Sequence, residues 1–321
     1  MNDLAAAPKA DPAAHDPSAP AADRRAVTPH APLGRVVVLV NPLSGSVGDG
    51  AAADAAEILQ AFACESEVTT LEGPDMDRAI DAALESKPDL IVVLAGDGTA
   101  RAVASRAGPD GPLVAPLPGG TMNMLPKALY GTTDWKEALR TILEDGEPQY
   151  VSGGEVEGHA FYCAAILGAP ALWAPAREAL RGGRLKLAFS HALHAWRRAF
   201  SGRIRFDLDN GRRQKAEALV LNSPMISRAL DEPVGLEAAV MNPHDAADAF
   251  RLAAHALFDD WRADPAVRTQ PARRIRVDAR SRVPAVLDGE TVRLSSNATI
   301  RFLPKAFRAL APRPPAAQDS V

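Results

Sequence analysis

Cysteine is nearly missing from this 321-residue chain, which has two, Cys64 and Cys163. Two thiols cannot build a disulfide framework or, alone, a structural zinc site, and a reducing cytoplasm is the simplest setting. Aromatic residues make up only 5%, too few for stacking platforms along a single-stranded nucleic acid. Neither sign of charge dominates: 36 Lys+Arg against 40 Asp+Glu leave −4, so no broad basic field draws nucleic acid. Long apolar runs are lacking too. The most apolar stretch, residues 160–176, is interrupted by Gly168, Pro170 and Pro175, so no spanning helix is expected. Residues 1–32 are rich in Ala, Pro and Asp, which argues against a secretory signal and predicts a disordered leader. Residues 312–321 should fray in the same way.

What is present is a 47% hydrophobic chain, enough to bury the core of two ordinary domains. Arg35-Val36-Val37-Val38-Leu39-Val40 and Asp89-Leu90-Ile91-Val92-Val93-Leu94 are continuous apolar runs, as in strands covered on both faces of a parallel sheet. Shorter strands are expected at 66–70 and 113–117, with helices over 50–62, 75–84, 99–106 and 134–143. Alternating strands and helices predict a doubly wound α/β domain over residues 33–149. After Glu147-Pro148 the pattern changes to strand-like pieces at 149–156, 159–167, 203–208, 216–222, 273–277 and 291–294. Helical stretches interrupt them at 176–181, 186–200 and 245–261. A β-rich, mostly antiparallel domain over residues 150–311, with a cleft between the halves, is the expectation.

Three glycine-bearing turns follow predicted strands: Asn41-Pro42-Leu43-Ser44-Gly45, Gly96-Asp97-Gly98-Thr99 and Gly119-Gly120-Thr121-Met122-Asn123. At the carboxyl ends of parallel strands such turns line the ligand crevice. Their backbone N–H groups close on anions, and a following helix adds a favourable dipole. Ser44, Thr99 and Thr121 add hydroxyls. The conjunction points to a phosphate cradle, most simply for a nucleotide. It is no P-loop, since G-x-x-x-x-G-K-[ST] does not occur, and Arg101 stands where a dinucleotide fingerprint has its third glycine. Late in the chain, Asp288-Gly289 between Val286-Leu287 and Thr291-Val292 spells a hairpin turn.

The order Asn-Pro-x-Ser-Gly (41–45), Gly-Asp-Gly-Thr (96–99), Gly-Thr-x-Asn (120–123) and Asp-Gly-Glu (288–290) resembles the diacylglycerol kinase and sphingosine kinase superfamily of lipid kinases. Phe161-Tyr162-Cys163-Ala164-Ala165-Ile166-Leu167-Gly168 resembles that family's strand after the domain crossover. The resemblance implies a nucleotide domain related to that of NAD kinases, a β-rich lipid domain, and phosphoryl transfer from ATP to a diacylglycerol-, ceramide- or sphingoid-type hydroxyl. Asn41, Pro42, Ser44, Gly45 and Thr70 would then hold the nucleotide. Gly96, Asp97, Gly98 and Thr99 would wrap its phosphates, with Gly120, Thr121 and Asn123 closing the third side. Asp97 would serve magnesium or cap its turn. The general base would be Asp288, with Glu290 as neighbour or stand-in.

The chain departs from the family pattern at Ala95, Arg101, Met124 and Val234. Met124 stands where a carboxylate is expected, and so does Val234, which leaves a second, structural magnesium site open. Two alternatives stay in view: a kinase of a soluble acceptor such as NAD, and a nucleotide- or lipid-binding regulator without catalysis. Within 186–200, Phe189, Leu193, Trp196 and Phe200 recur at helical spacing beside Arg197 and Arg198. Such a stretch suits either a membrane interface or a core helix with a solvated face. Trp196, Arg197 and Arg198 are therefore candidate membrane-facing residues of a cytoplasmic protein visiting the inner membrane face. Homo-oligomerisation is left open by the sequence.

Overall fold

The computed structural model describes residues 28–71, 73–168, 204–227, 234–242, 262 and 264–313. The expected helices at 176–181, 186–200 and 245–261 lie outside them, as do Trp196, Arg197 and Arg198. Four six-residue strands form the parallel part of the first sheet: β1 (Arg35–Val40), β2 (Glu65–Thr70), β3 (Leu90–Ala95) and β4 (Leu113–Pro118), in the order β2-β1-β3-β4. Every residue of β3 and β4 is buried, which is why neither alternates in polarity. Around the sheet lie α1 (Ala51–Gln60), α2 (Met76–Glu85), α3 (Asp97–Ala107), α4 (Met124–Tyr130) and α5 (Trp135–Asp145). Alternate residues of β1 feed opposite layers. Val36, Val38 and Val40 pack with Leu59 and Ile142 on one face, while Val37 and Leu39 meet Ile80 and Val103 on the other. This is the doubly wound arrangement that the apolar runs require. At α5 the Asp134 side chain accepts from the amides of Lys136 and Glu137, a cap of about 1 kcal/mol.

The second part is antiparallel β-structure. Its strands are β5 (Gly146–Val156), β6 (His159–Phe161), β7 (Ala164–Gly168), β8 (Ile204–Leu208), β9 (Gln214–Ala216), β10 (Ala218–Asn222), β11 (Leu236–Met241) and β12 (Val267–Ala272), then β13 (Arg274–Asp278), β14 (Val283–Leu287), β15 (Glu290–Leu294) and β16 (Asn297–Pro312). One sheet runs β12-β11-β10-β7-β14-β15. The other extends the parallel sheet from β4 through β16, β13, β8 and β9, with β5 on β16 and β6 on β5. Phe206, Leu219, Ile275, Leu287 and Ile300 belong to the core between them.

β16 belongs to both halves. Its first residues pair with β13, whereas Phe307, Ala309 and Leu310 enter the two cores of the α/β half and Ala309 lies opposite Val114 of β4. β5 likewise runs through position 149/150, where the composition changes. The halves thus share two strands, which fixes the β14–β15 hairpin against the α/β half. At the ends, Ala31 and Leu33 are buried in the first core, Pro312 closes β16, and Arg313 pairs with Glu147.

One expected strand is divided. Residues 159–167 read as a single run, but β6 and β7 lie in different sheets. The break falls at Tyr162-Cys163, whose amides are drawn out of the ladder by Asp288.

Candidate active site

Because β1, β3 and β4 are neighbours, their three carboxyl-terminal loops lie side by side. The Asn41 amide donates to the Leu94 carbonyl (2.9 Å), and its Oδ1 accepts from the Leu43 amide (3.1 Å). Pro42 follows in that loop. Ser44 Oγ accepts from the Gly96 amide (3.1 Å), which joins the first loop to the second. Asp97 Oδ2 accepts from the Asn123 amide (3.2 Å), which joins the second to the third. Asn123, in the left-handed region at φ 48°, folds its side chain back on Gly120, accepting its amide (2.8 Å) and donating to its carbonyl (3.0 Å). Thr70 ends β2 opposite Val40, at the same edge of the sheet.

The glycines here are set by loop-on-loop contact. A Cβ on Gly45 would stand 2.8 Å from the Gly120 carbonyl carbon, and one on Gly120 would stand 3.0 Å from Gly96 Cα. Ala95, by contrast, ends β3 without a positive φ and packs in the core, so its methyl is accommodated. Gly98 is different again: a Cβ there would meet only the tip of the Glu290 carboxylate, at 2.5 Å from Oε1. Gly45→Ala should therefore cost about 1–3 kcal/mol, since backbone must move. Gly98→Ala should fold with nearly parental stability. Urea unfolding of both variants checks the contrast, and equal losses would contradict it.

Across the loops stands the β14–β15 hairpin. Its two-residue turn has Asp288 at φ 46° and Gly289 at φ 92°, the left-handed pair that Asp-Gly accommodates. Asp288 Oδ2 accepts from the Tyr162 amide (2.6 Å), and Oδ1 accepts from Cys163 and Ala164 (both 2.9 Å). Its carboxylate lines a cleft together with Asp97, Arg101, Met122, Met124 and Tyr162. Burial pushes the Asp288 carboxyl above its ordinary value, against the pull of the three amides and of Arg101. Burial also raises Asp97, opposed by amides of residues 122–124. The Cys163 thiol beside them is driven upward by burial, with Asp288 and Asp97 adding to it, which disfavours its thiolate.

Glu290 begins β15 and pairs with Arg101 across the cleft, while Arg101 Nη1 approaches the Leu287 carbonyl at 3.4 Å. Thr99 is buried and its hydroxyl donates to Met76 Sδ (3.3 Å), so it faces α2 and offers the cradle its backbone. Thr121 is exposed. Asp97 and Asp288, far apart in sequence, are thus brought to one cleft beside Met122 of the third loop, and Glu290 reaches it through Arg101. Sequence reasoning gave no role to Arg101 or to the amides of 162–164. The isolated arginine after Gly-Asp-Gly-Thr was the only signal for the first.

Residues 35–155 match the family model described as the diacylglycerol kinase catalytic domain. No curated protein matches the chain. A solved diacylglycerol kinase from Bacillus anthracis is 20% identical, with 87% of this chain and 97% of that one covered and a TM-score of 0.67. Two structures of putative diacylglycerol kinases from the same organism are each 19% identical over the same shares, with TM-scores of 0.66 and 0.67. Residues 35–155 are therefore similar to a diacylglycerol kinase catalytic domain, and the chain shares the fold of these bacterial proteins.

Proposed function

We propose that this protein transfers the γ-phosphoryl group of ATP to a hydroxyl of a diacylglycerol-, ceramide- or sphingoid-type lipid. The observation that carries this reading is the placement of Asp288 in the same cleft as Asp97, opposite the glycine loops. A carboxylate has four acceptor positions, and three on Asp288 are filled by backbone amides. The fourth is free for an alcohol in the cleft. The amides lock the group in place, so it can orient the acceptor hydroxyl and take its proton while positioning lowers the barrier. Asn41, Pro42, Ser44, Gly45 and Thr70 hold the nucleotide on one side. Gly96, Asp97, Gly98 and Thr99, with Gly120, Thr121 and Asn123, form the other walls.

The cleft suits magnesium on chemical grounds. That ion takes one or two carboxylates and completes its shell with phosphate oxygens and water. Asp97 is the half-buried carboxylate available to hold it, and the described residues form no cluster of three or more His, Cys, Asp or Glu. When bound, the ion supplies positive charge to the phosphates. No helix among the described residues is long and apolar enough to cross a membrane. A lipid acceptor puts the proposed setting at the cytoplasmic face of a membrane, reached peripherally.

Radiolabelled ATP with mixed micelles of diacylglycerol, ceramide or a sphingoid base, and with NAD as soluble acceptor, tests the reading. Label should enter a lipid. Label in NAD alone would assign a soluble acceptor, and ATP binding without transfer to any of them would leave a regulator.

A further inference from the structure

The Arg101–Glu290 pair joins the two sides of the cleft, α3 to the hairpin that carries Asp288. Arg101 is 18% exposed at its side chain and Glu290 51%, so the cation is tucked in while the carboxylate reaches it from the open side. Glu290 Oε1 lies directly over Gly98, in the first turn of α3. An anion therefore already sits between a guanidinium and the positive end of an 11-residue helix, an arrangement that favours negative charge. Half-exposed carboxylate pairs contribute little. A phosphate brings more charge and three oxygens, and it engages the planar guanidinium through two parallel hydrogen bonds. The exchange of one anion for the other is favourable.

We propose that Arg101 is the phosphate-receiving group of the cleft and that Glu290 is its resting counter-ion. The outer phosphate of ATP displaces Glu290 and takes Arg101, which releases the carboxylate hold of the hairpin on α3. This rests on the nucleotide part of the proposed function. It adds a residue that binds the group in transfer, and it makes Glu290 a competitor of that group in the free protein.

Calorimetric titration of the full chain with ATP and with AMP tests it, with melting curves to establish folding. Arg101→Gln should weaken ATP by about 10- to 100-fold, the range for hydrogen bonds to a charged group, and AMP by less than about threefold. Glu290→Gln should tighten ATP by about 3- to 10-fold because the competing carboxylate is gone. The double variant should lose that gain, since its target guanidinium is absent. Equal effects on ATP and AMP, or weaker ATP binding in Glu290→Gln, overturn the exchange while leaving nucleotide binding intact. A parent chain that binds no ATP removes the nucleotide reading itself, and the exchange with it.

Discussion

Asp288→Asn should slow phosphoryl transfer to a lipid hydroxyl by about 10²–10⁴-fold, the usual loss for a positioned base. Its geometry also sets what else must change. Asparagine keeps the turn, because Asn-Gly serves the same left-handed hairpin as Asp-Gly. Its NH₂ group, however, cannot accept a hydrogen bond. The carboxylate accepts from the amides of Tyr162, Cys163 and Ala164 on both oxygens, so at least one buried amide loses its partner. That costs about 1–3 kcal/mol. The variant should thus fold with reduced stability, bind ATP as the parent does, and transfer slowly. Calorimetry for ATP and initial rates in micelles separate these effects. Full activity in Asp288→Asn would reduce the carboxylate to a clasp between the hairpin and residues 162–164. A matching loss in Glu290→Gln, with Asp288→Asn active, would move the base to Glu290.

The α/β half was legible because its strands are buried on both faces and written as unbroken apolar runs. β1 falls on the expected residues, and β3 begins and ends one residue later than read. α3 starts at Asp97 rather than Thr99 because Gly96 already has the extended backbone of a cap. α4 was not foreseen: it is 7 residues long, carries Pro126, and follows a left-handed Asn123. The second half was read less well, for reasons of partnership. β11 places a glutamate and two alanines at its centre, and their burial depends on β10 and β12. β16 went unread because Pro304, Lys305 and Arg308 interrupt it, yet Ala298, Ile300 and Phe302 alternate with polar neighbours and mark its first part as a strand.

The site divides along the same line. The glycine turns announce themselves locally, since Gly45 and Gly120 answer to close approaches within their own group of loops. Asp288 could be singled out only by resemblance, because its meaning lies in amides more than a hundred residues away. Tyr162 and Cys163 look like the middle of a strand until the carboxylate that claims their N–H groups is known. Arg101 is conspicuous in sequence but becomes functional in meaning only beside Glu290. Local chemistry is written locally, and the cleft is not.

Arg262→Met should destabilise the fold by about 3–5 kcal/mol, the cost of leaving one buried charge without its partner. Glu237, on β11, is fully buried. It receives Arg262 Nε at 2.6 Å, Arg262 Nη2 at 3.1 Å and Asn222 Nδ2 at 3.2 Å. Burial opposes ionisation, yet Arg262, Ser227 and Asn222 outweigh it and hold the Glu237 carboxyl below its ordinary value. A depressed acid contributes stability that is complete above its unfolded pKa, about 4.3 for glutamate, and is lost as pH falls through the folded value. In Arg262→Met the sign reverses, because burial then acts against a carboxylate left with only Ser227 and Asn222. The difference between parent and variant should therefore be full at neutral pH and should shrink as pH falls through the carboxylate range. Urea midpoints measured from pH 7 to pH 4 follow it. The double variant Arg262→Met, Glu237→Leu should regain most of the loss at neutral pH, since an apolar pair carries no buried charge. A gap between parent and Arg262→Met that stays constant with pH would mean that packing of the arginine stem, and not its charge, stabilises this part of the sheet.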